Sequence, residues 1–216
     1  KRVREFQPDL VFVISMESVL PATIQEIKQE SDAVVIGWFM DAVTSFGRTY
    51  FMLADYDAMF FVDDYIVRTL RTKLANQRVH LLPICCDPEL HRPVLLSEAE
   101  QKRYGCDLTI AGNLYPYRAA MLDQFQDYDL KIWGKKQDWF LHPLNSKHTG
   151  EVVFGEEKSK AMRAAKIVLN NNHYANMDGV NKRAFEAAGC GGAGVAWGDG
   201  WAGVSECEQF VRAAGG

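Results

Sequence analysis

The sequence is poor in the features that commit a chain to metal, disulfide or nucleic-acid chemistry. Its five cysteines stand at 85, 86, 106, 190 and 207, and no two are spaced as C-x-x-C. An odd count without paired spacing argues against a zinc ribbon or a disulfide framework and for free thiols in a reducing cytoplasm. The five histidines are scattered too, so no metal site is expected. A basic excess is missing, since 24 Lys and Arg stand against 28 Asp and Glu for a formal net charge of -4. A phosphate-backbone binder needs the opposite balance, and nucleic acid is not an expected partner. No apolar run approaches the ~20 residues that span a bilayer, and no apolar signal region follows the opening Lys-Arg-Val-Arg-Glu, so a soluble cytoplasmic protein is expected. Internal repeats and low-complexity tracts are also lacking, which removes solenoid readings.

What the sequence does have is 216 residues, 48% of them hydrophobic, enough for one large or two small cores. Short apolar runs alternate with helical spacing. Residues 9–15, 33–39, 58–62 and 79–84 read as strands, and 20–30 and 63–74 as helices. Such alternation predicts a parallel sheet covered on both faces, a first Rossmann-like unit over 1–94. The opening residues read as the end of a helix running into Pro8, so this unit is expected to be partial. A polar stretch at 95–104 reads as a linker. The alternation then restarts over 105–216, with strands at 106–113, 129–134 and 167–172 and helices at 117–125, 156–166 and 181–192. The last of these ends in a glycine cluster. The Gly- and Ala-rich tail after 192 offers only a short helix near 205–214. The fold class is α/β, two Rossmann-like domains in tandem.

In such sheets ligands bind beyond the carboxyl ends of strands. Gly112 and Asn113 follow a strand and precede a helix carrying Arg118, offering N–H groups and a guanidinium to a diphosphate. A tight turn beside a solvated Arg explains the same residues equally well. The segment DGVNKRAFEAAGCGG gathers Asp178, Asn181, Arg183 and Glu186 around the start of one helix, and Glu186 beside Phe185 and small residues has few structural reasons to be there. An N-capping Asp178 with an outward Glu is the alternative. Asp63 and Asp64 read as caps of the next helix, and the tryptophans with Tyr115 and Tyr117 mainly as packing.

The helix segment resembles the donor-site helix of retaining GT-B glycosyltransferases, in which an acidic residue, seven residues and a glutamate precede small residues; Asp178 and Glu186 stand at that spacing. It resembles the spore-maturation (CgeB-like) glycosyltransferases more closely, through Asn181, Arg183, Phe185, Glu186, Ala187, Cys190 and Gly191. LPICCDPELHRP at 82–93, AGNLYPYR at 111–118 and GEVVFGEE at 150–157 resemble further landmarks in the same order. Asp178 departs from the usual first glutamate by one methylene, and the tail after Gly192 does not resemble the expected strand and loop.

The resemblance implies a GT-B fold and transfer of a sugar from a nucleotide diphosphate sugar to an unknown glycan, protein or small-molecule acceptor, with retention and without a metal or other cofactor. It implies that Glu186 accepts from the ribose hydroxyls, that Asp178 faces the transferred sugar, and that Arg118, with Arg183 as second candidate, neutralises the diphosphate. Phe154 and Gly155 would meet the base, Gly155 letting the backbone approach a planar ring. Asp41, after the WFMDA strand, would orient the acceptor or act as a base, although a helix cap explains it equally. The rival reading is a catalytically silent module of the same fold that keeps nucleotide or glycan affinity; a sugar epimerase sharing the fold is a third.

Overall fold

A computed structural model of the chain describes residues 2–14, 18–41, 53–73, 78–136, 141–172 and 177–197, except the side chains of 194–197. Met16, Met52, Trp139, Trp201, Cys207 and the helix expected at 205–214 lie outside the described residues. The chain forms two compact units, Lys1–Ile84 with His173–Val180, and Cys85–Asn172 with Asn181–Gly216.

The first unit contains α1 (Arg2–Phe6), β1 (Leu10–Ile14), α2 (Pro21–Glu30), β2 (Val34–Phe39), β3 (Ala58–Phe61), α3 (Asp64–Lys73) and β4 (Val79–Leu81). Its strands are parallel and lie in the order β1-β2-β3-β4. Crossovers between parallel strands are right-handed in nearly all proteins, so strands added always in one direction place every crossover on the same face. The packing agrees. Ile24 of α2 and Val67 and Leu70 of α3 share one core with Val35, Phe39, Met59, Phe61 and Val79. On the other face Leu10, Phe12, Ile14 and Val34 are exposed, beside the half-buried Ile36, Trp38 and Phe60. Sheet register places Phe12 against Ile36, Ile14 against Trp38, and Trp38 against Phe60. The expectation of a sheet covered on both faces therefore fails among the described residues of this unit, because its strand order never reverses.

The second unit contains α4 (Glu98–Tyr104), β5 (Cys106–Ala111), α5 (Pro116–Leu122), β6 (Leu130–Trp133), α6 (Gly155–Ala164), β7 (Ala165–Asn171), α7 (Lys182–Gly189) and β8 (Gly194–Trp197). Its strands are also parallel, but their order is β6-β5-β7-β8. The chain steps from β5 to β6 in one direction and then places β7 on the other side of β5. Right-handed crossovers then put α5 on one face and α6 and α7 on the other. One core joins Leu108, Ile110, Leu130, Ile132, Ile167 and Leu169 to Ala119 and Leu122 of α5. The opposite core joins Ala111, Trp133 and Val168 to Ala161 and Met162 of α6 and Ala187 and Cys190 at α7. Each fully buried Leu or Ile contributes about 1.5–3 kcal/mol. Burial on both faces also pushes the Cys106 thiol up to about 12, which leaves it unreactive.

Two further expectations are corrected. Residues 95–104 are not a linker: Glu98–Tyr104 is helix α4, and the units divide between Ile84 and Cys85 instead. The charged string hides a capping box, in which the Ser97 side chain accepts from the Glu100 N–H and the Glu100 carboxylate accepts from the Ser97 N–H. α4 packs on α6, with Lys160 paired to Glu100 at 2.9 Å. The Gly- and Ala-rich tail forms strand β8 against β7 despite its few β-branched residues, because pairing with a buried neighbour outweighs local propensity.

Candidate functional site

An open parallel sheet binds ligands where its strand order reverses. In the second unit that point lies between the carboxyl ends of β5 and β7, and Gly112, Asn113, Arg118, Asn181 and Arg183 meet there. Gly112 follows β5 with φ +141°, a conformation that L side chains rarely adopt. A Cβ at this position would lie 2.7 Å from Nη2 of Arg183 and 2.8 Å from Nη1 of Arg118. Absence of a side chain is what lets the two guanidiniums flank one point.

Arg118, on the first turn of α5, is 5% exposed. Its Nε donates to Asn171 Oδ1 at 2.8 Å, its Nη1 to the Asn113 carbonyl, and its Nη2 to the Tyr115 hydroxyl at 3.1 Å, while its guanidinium lies 4.5 Å from the Tyr115 ring centre. Arg183 donates from Nε to the Ala111 carbonyl at 2.6 Å and from Nη1 to Asn170 Oδ1 at 3.0 Å. These acceptors are all neutral. Burial pulls Arg118 below the usual arginine value, and burial together with repulsion from Arg118 brings Arg183 down to about 10. The point between them is flanked by two guanidiniums whose hydrogen-bond acceptors carry no charge.

Asn181 caps α7 by accepting from the Arg183 N–H at 3.0 Å, and its Nδ2 donates to the Asn171 carbonyl at 2.7 Å. The helix that carries Arg183 is thereby tied to the end of β7.

One turn along α7, Glu186 is 1% exposed and ion-paired with Lys158 of α6. His91 Nε2 and Lys182 Nζ each stand 3.3 Å from its Oε1. Neither contact has hydrogen-bond geometry, so Oε1 is buried without a donor among the described residues. Burial opposes ionisation of Glu186, yet Lys158 and Lys182 outweigh it and hold the carboxyl below its ordinary range. Phe154, at the start of α6, is 75% exposed, and Gly155 has φ +50° with open space where a Cβ would stand.

The two proposed catalytic aspartates belong to the first unit. Asp41 is exposed, two residues beyond β2. Asp178 is half-exposed and paired with Arg68, which also meets Asp64 at 3.1 Å. Asp63 does more than cap α3 through the Tyr65 N–H. Its Oδ2 accepts from the backbone N–H groups of Met177, Asp178 and Gly179 at 2.8, 3.2 and 3.2 Å. Sequence reasoning missed this role of Asp63, and missed Lys158, His91, Asn170 and Asn171. The one signal in the sequence was IVLNNN, an apolar strand ending in amides. Among the described residues no group of three or more His, Cys, Asp or Glu is placed to hold a metal ion, and no helix is long and apolar enough to cross a membrane.

Two parallel α/β units are what a GT-B fold contains, and the assignment rests on solved structures. Sucrose-phosphate synthase from Thermosynechococcus elongatus matches with a TM-score of 0.65 at 13% identity, over 90% of this chain and 57% of that one. Likeness at this identity concerns the fold alone, and the chain spans little more than half of that relative. None of the curated proteins matches the sequence. The family profile described as "Glycosyl transferase-like" matches residues 92–208, more than half of the chain, and the chain belongs to that family.

Proposed function

We propose that the second unit is the donor-binding part of a glycosyltransferase that moves a sugar from a nucleotide diphosphate sugar to an acceptor. The observation that carries this reading is the Arg118–Arg183 pair, two cations with neutral partners at the strand-order reversal. As the glycosidic bond breaks, negative charge accumulates on the leaving diphosphate, and fixed guanidiniums stabilise it at little reorganisation cost. Glu186 accepts from the ribose hydroxyls, for which its donorless Oε1 is suited. The base lies at Phe154 and Gly155. Asp178 meets the transferred sugar, on motif spacing, and Asp41 the acceptor, on its place just beyond β2. The match of Asp178 and Glu186 to the acid-x7-acid pattern supports retention, and the Asn181–Gly191 stretch supports a spore-maturation-type relative. Because the arginines supply the neutralising charge, transfer is expected to proceed in EDTA; loss of activity restored by manganese would contradict this.

The test is calorimetry with uridine, guanosine, adenosine and thymidine diphosphates. One of them should bind, and Glu186→Gln should weaken it by about 1–3 kcal/mol, the worth of charge-assisted hydrogen bonds. No binding by any of the four would overturn the donor-site assignment.

A further inference from the structure

We propose that Asn170 and Asn171 are positioning residues whose uncharged amide oxygens hold Arg183 and Arg118 at the strand-order reversal without neutralising them, keeping both positive charges for a diphosphate. The proposal rests on the donor-site reading above and adds what keeps that site cationic.

The two amides are the last residues of β7, 1% and 3% exposed. Successive strand residues face opposite sides of a sheet. Asn170 follows Val168 on the face covered by α6 and α7, and Asn171 follows Ile167 and Leu169 on the face covered by α5. Each therefore meets the arginine carried by the helix on its own side: Asn170 Oδ1 takes Nη1 of Arg183 at 3.0 Å, and Asn171 Oδ1 takes Nε of Arg118 at 2.8 Å. A guanidinium only donates, so the atom facing it must be the amide oxygen. That choice leaves Asn170 Nδ2 buried and without a partner among the described residues. Aspartate has the same shape and would supply the same acceptor, and buried arginines are ordinarily paired with carboxylates. An aspartate would also cancel the charge. Burial, and after it the mutual repulsion of the two arginines, lowers Arg183; that is the cost of leaving the charge uncancelled, and an arriving anion relieves the repulsion.

The experiment compares the full chain with its Asn171→Asp and Asn170→Asp variants. Calorimetry uses inorganic pyrophosphate and the four nucleoside diphosphates, NMR the matching uncharged nucleosides, and thermal melting reports the fold. Each Asp variant should keep or raise its melting temperature and bind the diphosphate about ten- to a hundredfold more weakly, with nucleoside binding unchanged. A purely structural role cannot separate these readouts. Wild-type diphosphate affinity in both Asp variants would overturn the proposal and leave the donor-site reading standing. Variants that lose the nucleoside as well would also overturn it, since the hydrogen bonds must survive the change. Failure of the wild type to bind pyrophosphate or any of the diphosphates would sink both readings.

Discussion

The two sheets are built from the same parts and differ in the order in which those parts are laid down. In the first unit the strands run β1-β2-β3-β4 and α2 and α3 share one face; in the second the order β6-β5-β7-β8 reverses once and both faces are covered. Reversal does two things at once. It opens a crevice at the ends of β5 and β7, and it seals the sheet from water so that charges near it act at low dielectric. The buried Arg118 and Glu186 belong to this unit, whereas Asp41 and Asp178 in the first unit are at least partly exposed.

The comparison is tested most severely by removing the main partner of a buried charge in the sealed unit. Lys158→Met removes the ion-pair partner of Glu186, and unfolding free energy should fall by about 3–5 kcal/mol, as when one member of a buried pair is lost. A loss below 1 kcal/mol in urea denaturation would mean that water or Lys182 compensates Glu186. The next effect contrasts the two sheets directly. Ile110→Ala should cost about 2–5 kcal/mol, whereas Ile14→Ala, at a half-exposed position, should cost less than about 1 kcal/mol. Equal costs would show that the outer face of the first sheet is covered in solution.

Asp63→Ala should destabilise the first unit by about 1–3 kcal/mol and speed hydrogen exchange at Met177, Asp178 and Gly179, whose N–H groups lose their acceptor. Unchanged exchange there would remove the clamp. The smallest effect is Ser97→Ala, about 1 kcal/mol for the lost cap of α4. Its signature is in the pH dependence. The Ser97 N–H, then Lys160 and the Ser97 hydroxyl, hold Glu100 down to about 2, so its contribution is present above the ordinary glutamate range and is lost as pH falls through that range toward 2. Ser97→Ala removes only the hydroxyl and keeps the N–H and Lys160, so most of this acid limb should survive it; a limb flattened completely between pH 5 and 2 would show that the N–H bond is lost with the cap.

The strand–helix alternation was legible because apolar runs and helical spacing are local properties. Strand order was not, since it depends on which strands pair far along the chain, and with it went the coverage of the first sheet. Ser97-Glu98-Ala99-Glu100 was read for its polarity when its spacing was the signal. Arg118, Arg183, Asn181 and Glu186 could be singled out because charged or polar groups beside glycines and small residues stand out. Lys158 did not, because in EEKSKAMRAAK it is one basic residue among several, and only the packing of α6 against α7 sets it apart. Asn170 and Asn171 look like the start of a turn until the two arginines are placed against them.

The Asp63 clamp also bears on the order in which the protein is completed. Its three backbone partners lie 114 to 116 residues further along the chain, in a segment that belongs to the first unit although the chain on either side of it belongs to the second. At roughly 5–20 residues per second, synthesis from residue 84 to residue 180 takes roughly 5–20 s. Through that interval the nascent first unit presents a carboxylate with an oxygen still waiting for its donors, while β5, α5, β6, α6 and β7 are being made. Most of the first unit is synthesised early, but its last piece arrives only after much of the second.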